Sequence, residues 1–167
     1  MAESRKKKSI MTIEKETIGL AGEYAVASEL CKRGYYAQLT LGHHKKTDLV
    51  VEDDEKLFRV SVKSKQGDQW PSVKGIWQKG DLIVLVDFKH KKSDERPDYY
   101  VLTVQDWKKV VKKLKRKLRG GAKIDKTNTL YWDPWKGNPK GWKGCAISVK
   151  DIQGYKDCWP KVSKNVA

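Results

Sequence analysis

The run "DLIVLVDF", residues 81–88, is an almost unbroken series of branched apolar side chains between Gly80 and a basic turn. A segment of this length and composition reads as a strand with both faces hidden from water. Such a strand needs a layer of structure on each side, which excludes a sheet with one wet face. Residues 81–88 are therefore expected to lie centrally in a sheet that is covered above and below.

The flanking segments supply those layers. Over residues 13–33 the apolar positions Ile18, Leu20, Ala21, Ala25, Val26, Ala27 and Leu30 recur at helical spacing, and Gly34 provides a stop. "YYAQLTL", residues 35–41, alternates at period two and reads as a strand. "DYYVLTV", residues 98–104, reads as another, and Trp107, Val110, Val111, Leu114 and Leu118 then mark a helix that ends at Gly120-Gly121. The outer faces of that helix are almost wholly lysine and arginine. A membrane-surface helix is one reading of it. Docking on the sheet by the apolar stripe, with Lys112, Lys113 and Arg116 turned outward as an electrostatic rail, is preferred. The order helix, three strands, connection, two strands, helix predicts an α/β sandwich around a mixed sheet. A further short strand is expected at "CAISV", residues 145–149.

"KKTDLVVEDDEKLFRVSVKSKQ", residues 45–66, reads as two strands joined by an acidic turn at Asp54-Glu55. In the second strand Arg59, Ser61, Lys63 and Lys65 alternate with Phe58, Val60, Val62 and Ser64, so one face is polar. If strands 47–51 and 57–63 pair around a tight turn, Asp48 lies opposite Ser61, Leu49 opposite Val60 and Val50 opposite Arg59. A slip of one residue would place Asp48 among Phe58, Val60 and Val62, so the pattern selects the first register. Asp48, Ser61 and Lys63 then share a face. A carboxylate beside an ammonium is a minimal kit for holding a divalent cation and orienting a water on a phosphate.

Charge narrows the class of partner. Against 21 Asp+Glu the 167 residues carry 36 Lys+Arg, a formal charge of +15, which favours a polyanion through counterion release. The length suits one domain: a disordered basic segment over residues 1–12, then residues 13–167, with a core at 13–119 and a Trp/Gly/Lys-rich extension at 120–167 packed on it. Cys31, Cys145 and Cys158 form no CxxC pair and no disulfide framework, as expected in a reducing compartment. No signal-peptide pattern and no membrane-length apolar stretch occurs, so a cytoplasmic, nucleoid-associated protein with no membrane partner is expected.

The ordered set of Glu23 on a helix, Asp48 on a strand and Ser61-Val62-Lys63 on the next resembles the PD-(D/E)XK nuclease superfamily, the restriction-endonuclease-like fold. More narrowly, "GEYAVASELCKRGYYAQLTLGHHKKTDLVV" followed by "FRVSVKSKQG" is similar to small bacterial proteins related to Holliday-junction resolvases. The resemblance covers roughly the first half of the chain. It implies a restriction-endonuclease-like sandwich and metal-dependent hydrolysis of phosphodiester bonds in DNA. Asp48 and Glu23 are then the Mg2+ (or Mn2+) ligands, Lys63 assists the water, and a homodimer serves to cut two strands. Ser61 departs from the pattern, standing where Asp, Glu or Gln is expected and offering magnesium only a weak position. Glu52 and Gln66 are the candidate replacements. Thr47 stands in place of the proline. The alternative implied by Ser61 is a nuclease-like fold without catalysis that binds DNA or RNA.

Each residue also has a plainer role open to it. Asp48 caps the loop before its strand, Lys63 with Arg59 and Lys65 forms an exposed basic face, and Glu16, Glu23 and Glu29 are solvent-side residues of the first helix. His43, His44, Lys45 and Lys46 read as a phosphate-contacting loop, with Lys65 and Gln66 as further nucleic-acid contacts. In "LYWDPWKGNPKGWKG" and "YKDCW" aromatics alternate with Lys and Gly; core packing is the first expectation, with Trp135 and Trp142 as exposed exceptions. Exposed rings of this kind stack bases or wedge into a distorted duplex.

Overall fold

A computed structural model describes residues 12–40, 47–53, 56–118 and 120–161. Helix α1 (Lys15–Lys32) leads into strands β1 (Tyr36–Leu39), β2 (Leu49–Asp53) and β3 (Lys56–Lys65). Strands β4 (Gln69–Val73), β5 (Leu82–Asp87) and β6 (Asp98–Thr103) precede helix α2 (Val104–Lys117). The chain continues through β7 (Lys123–Ile124), β8 (Leu130–Trp132), β9 (Trp142–Lys143), β10 (Cys145–Ser148) and α3 (Val149–Ile152). Among the described residues no helix is long and apolar enough to cross a membrane.

The main sheet runs β1-β2-β3-β5-β6, with β3 and β5 parallel and the other neighbours antiparallel. The fold is α/β, a mixed central sheet flanked by helices. All six residues of β5 are buried, as its composition predicts. Each Val, Leu or Ile hidden in this way contributes about 1.5–3 kcal/mol relative to exposure, which decides why both faces are covered. One correction concerns its place: β3 is the middle strand, and β5 lies between it and the edge strand β6.

On one face Val60, Val62, Val84, Val86 and Val101 pack against Val26, Ala27 and Leu30 of α1. On the other, Ile83, Leu85 and Leu102 meet Trp107, Val110, Val111 and Leu114 of α2, together with Trp70, Leu130 and Ile147 from the smaller sheets. Strand β4 lies in the connection that sequence reading left open, and it pairs antiparallel with β10. Helix α2 starts at Val104 rather than after it. The Thr103 side chain and Asp106 form a capping box there that fixes the boundary.

The hairpin adopts the predicted register, with Leu49 opposite Val60 and Val50 opposite Arg59. The acidic turn at Asp54-Glu55 lies outside the described residues. At the other end of β3, α1 presses close to the strand: a Cβ on Gly22 would lie 1.9 Å from Ser64 Oγ and 3.1 Å from Ser64 Cβ. Only a residue without a side chain allows this approach, and Glu23 is its immediate neighbour.

Candidate active site

Asp48 stands where β2 has not yet begun. Its amide donates to the Val60 carbonyl at 3.1 Å, and its carbonyl accepts from the Thr40 amide at 3.0 Å, so both neighbouring strands pin its backbone. Because β2 supplies no further main-chain partner, the Asp48 side chain takes the next amide of β3, accepting from Val62 N–H at 2.6 Å through Oδ2. The same oxygen accepts from Ser61 Oγ at 3.3 Å and from Lys63 Nζ at 3.5 Å. Lys63 also donates to the Val62 carbonyl at 2.9 Å, which keeps the ammonium at the strand edge. Lys63 remains 41% exposed and Asp48 23%, so the pair is open to solvent.

Glu23, on α1, is coupled to these groups through charge. Its carboxyl is raised above the ordinary value of 4.5, first by burial and then by the Asp48 charge, while Lys63 pulls it the other way. The sensitivity to both partners means that the three groups share one electrostatic neighbourhood. Asp48, Ser61 and Lys63 are thus in direct contact, and Glu23 is coupled to them by charge.

The donor set has two carboxylates, with the neutral Ser61 hydroxyl beside them. Among the described residues no group of three or more His, Cys, Asp or Glu is arranged to hold a metal. Magnesium keeps several waters and is commonly held by one or two carboxylates together with substrate phosphates. Two neighbouring carboxylates, Glu23 and Asp48, fit that requirement. Neither candidate replacement for Ser61 does. Glu52 is exposed and four residues along the strand from Asp48, about 13 Å away. Gln66 offers its amide oxygen to the Ile13 amide at 3.0 Å.

The predicted surface residues divide. Lys112, Lys113 and Arg116 are exposed on α2, whose apolar stripe docks on the sheet as expected. His43, His44, Lys45 and Lys46 lie outside the described residues. Lys65 is a correction: it is 4% exposed, pairs with Asp87 at 2.7 Å, donates to the Gly67 carbonyl and lies 4.5 Å from the Trp70 ring. It is a buried, neutralised cation rather than a nucleic-acid contact. Glu29 is corrected too, since it is buried instead of facing solvent, held by Lys32, Arg33 and Arg96.

A cleft of about 490 Å³ adjoins Ser61 and Lys63, with Lys74, Trp77, Thr129 and Lys143 on its far walls. Sequence reading missed these residues because they follow β4 or belong to the C-terminal sheet. Arg59 enters the cleft already paired with Asp81 at 2.6 Å, and Lys143 with Asp125 at 2.5 Å. The alternating polar face of β3 was the one available signal, and it marks a single wall.

Comparison with known proteins adds three findings. The family described as PD-(D/E)XK endonuclease matches the chain over residues 13–136. A search of the curated proteins finds no match. Among solved structures the chain is similar to a bacterial homing endonuclease, at 20% identity and a TM-score of 0.42, over 56% of this chain and 71% of that one. It is also similar to a Holliday junction resolvase from the archaeal hyperthermophile Archaeoglobus fulgidus, at 12% identity and a TM-score of 0.38, over 81% of this chain and 92% of that one.

Proposed function

The chain belongs to the PD-(D/E)XK endonuclease family, and from that premise we propose that it is a metal-dependent endonuclease that hydrolyses phosphodiester bonds in DNA. The observation that carries the proposal is the meeting of Asp48 and Lys63 at 3.5 Å beside a Glu23 carboxyl that responds to both. Glu23 and Asp48 would hold Mg2+ or Mn2+, with Ser61 as a weak neutral neighbour. Bound there, the ion supplies charge stabilisation at the phosphate and a more acidic water.

The chain's own residues account for the rest. Val62 N–H fixes one oxygen of Asp48, so the carboxylate keeps its orientation without help from solvent. Lys63, anchored through the Val62 carbonyl, positions a water and offsets the charge that develops on the phosphate. Lys74 and Lys143 in the cleft, with Lys112, Lys113 and Arg116 on α2, would contact the DNA backbone. A partner within the cell follows from that substrate, and two copies acting together would cut both strands.

Ser61 supports a second reading, a DNA- or RNA-binding module without catalysis, because a neutral hydroxyl that donates to Asp48 stands where a further acidic ligand is expected. One set of cleavage assays separates the two. Linear, nicked, branched and single-stranded substrates are incubated with and without Mg2+ or Mn2+. For the enzyme, Asp48→Asn, which keeps an acceptor for Val62 N–H, and Lys63→Ala each lower cleavage by roughly a hundredfold or more while binding persists. A native protein that is inert, and that gains metal-dependent cutting only as Ser61→Glu, establishes the binding module instead.

A further inference from the structure

At the end of the molecule bearing the three-stranded sheet, β8 and β9 pair so that Trp132 stands directly opposite Trp142. The two rings line, with Trp135 and Gly120-Gly121, an open cavity of about 780 Å³, within the range of roughly 300–1,000 Å³ usual for ligand sites. Trp135 is 50% exposed and Trp142 49%, whereas Trp132 is partly buried and packs on the core. Rings that served only the core would be covered, and clustered exposed aromatics mark a binding surface.

The rings are held in place. Trp142 donates its indole N–H to the Gly144 carbonyl at 3.0 Å, which ties its polar edge to the chain and leaves the ring faces for contact. The loop between the strands is braced by paired Trp135 and Asn138 main-chain bonds and by the Asn138 side chain on the Gly141 carbonyl at 2.9 Å. Gly141 has φ +68, and a Cβ there would lie 2.5 Å from the Trp132 carbonyl, so the loop closes tightly over the strand. Preorganised aromatic faces bind with little loss of side-chain freedom.

The position of the cavity suggests its occupant. A second cavity, of about 480 Å³, has Trp132, Trp142, Lys140 and Lys143 on its walls together with Asp125 and Asp133; Lys143, paired with Asp125 but half exposed, also lines the cleft beside Lys63. Shared walls thus run from the candidate active site past two lysines to the tryptophans. Asp133, the acid of the aromatic cavity, is ion-paired with Lys123, while Lys136 and Lys140 on the same loop are exposed. The surroundings favour a polyanion with flat aromatic groups over a cation.

We propose that the Trp132, Trp135 and Trp142 cavity stacks unpaired nucleobases of a DNA strand whose backbone passes Lys140 and Lys143 toward Lys63. This rests on the nuclease reading and narrows its substrate to DNA with a single-stranded segment, because paired bases have no free faces to offer.

Binding measured without divalent metal tests this apart from cleavage. Fluorescence anisotropy is followed with a short single-stranded oligodeoxynucleotide and with its fully paired duplex. Trp135→Ala and Trp142→Ala are expected to weaken single-strand binding by about fivefold to a hundredfold and duplex binding by less than about twofold. Trp142→Phe, which keeps a ring, should stay close to wild type. Single-strand affinity unchanged in both Ala variants overturns the proposal, as does an equal loss on both probes. Quenching by choline that either Ala variant abolishes, with single-strand affinity intact, marks a cation cage and overturns it too. Ring-dependent binding in a protein that cleaves nothing keeps the cavity and removes the nuclease. Cleavage that needs Asp48 and Lys63 while binding ignores the rings does the reverse.

Discussion

Glu23 carries a cost that the resting protein gains nothing from. Burial first, and then the Asp48 charge, hold its carboxyl above 4.5 in the folded chain. A carboxyl raised on folding favours the fold while protonated. That contribution is complete below the unfolded value and is lost as pH rises through the folded one. Without metal, Glu23→Gln should therefore be at least as stable as wild type at pH 7, and any advantage should vanish near pH 4. Added Mg2+ or Mn2+ should raise the melting temperature of wild type and leave the variant where it was. Thermal unfolding at the two pH values, with and without the ion, checks both. A wild type more stable than Glu23→Gln at neutral pH would show that the carboxylate has a structural partner. Asp48 differs, because Val62 N–H already gives its charge a structural use. That bond runs to β3, so it ties the start of β2 to its neighbouring strand rather than capping the preceding loop.

At the scale of elements, legibility followed period and locality. The hairpin register and β5 were readable because alternation and an unbroken apolar run are local signals. Strand β4, "QWPSV", carries Pro71 and little alternation, and its partner β10 lies more than seventy residues on. Nothing local announces that pair. The same pair explains Lys65: alternation put it on an open polar face, but Trp70 of β4 folds across the end of β3 and Asp87 neutralises the ammonium. The cleft residues Lys74 and Lys143 were illegible for the same reason, whereas Asp48, Ser61 and Lys63 were legible because one hairpin holds them all. Contact between α1 and β3 at Gly22 sets the position of the helix that carries Glu23, and it is testable. Ser64 Oγ is buried without a hydrogen-bond partner among the described residues. Ser64→Ala should thus be neutral or slightly stabilising. Gly22→Ala should push α1 outward against Ser64, lowering cleavage about tenfold or more with a smaller effect on stability. The double variant should recover part of that activity, since the 1.9 Å approach is to the hydroxyl. Kinetics unchanged in Gly22→Ala would mean that the helix position does not govern the site.

Across the whole molecule, one cluster joins parts of the chain that sequence treats as separate. Glu29 near the end of α1 receives Arg33 at 2.6 Å and Lys32 at 2.5 Å. Arg96, in the connection before β6, bridges it at 3.1 Å to Asp157, near the end of the described chain. Arg33 lies 4.6 Å from the Trp159 ring, closing the circuit. Burial alone would raise the Glu29 carboxyl, but hydrogen bonds from Arg96, Lys32 and Arg33 outweigh it and hold the group at about 2. A carboxyl lowered on folding contributes stability above its unfolded value, here 4.5, and that stability is lost as pH falls toward about 2. The loss comes while the net charge, already +15, is climbing, so self-repulsion adds to it. Glu29→Gln should cost about 2–3 kcal/mol at pH 7. It should also flatten the fall in stability between pH 4.5 and 2. The curve should keep some slope, because Asp125 is likewise held at about 2: burial raises it, and Lys143, Thr127 and the Thr129 amide more than compensate. Urea midpoints over that pH series give the test. A Glu29→Gln variant with the wild-type slope would mean that the contacts between α1, the β6 connection and the C-terminal segment hold without this charge.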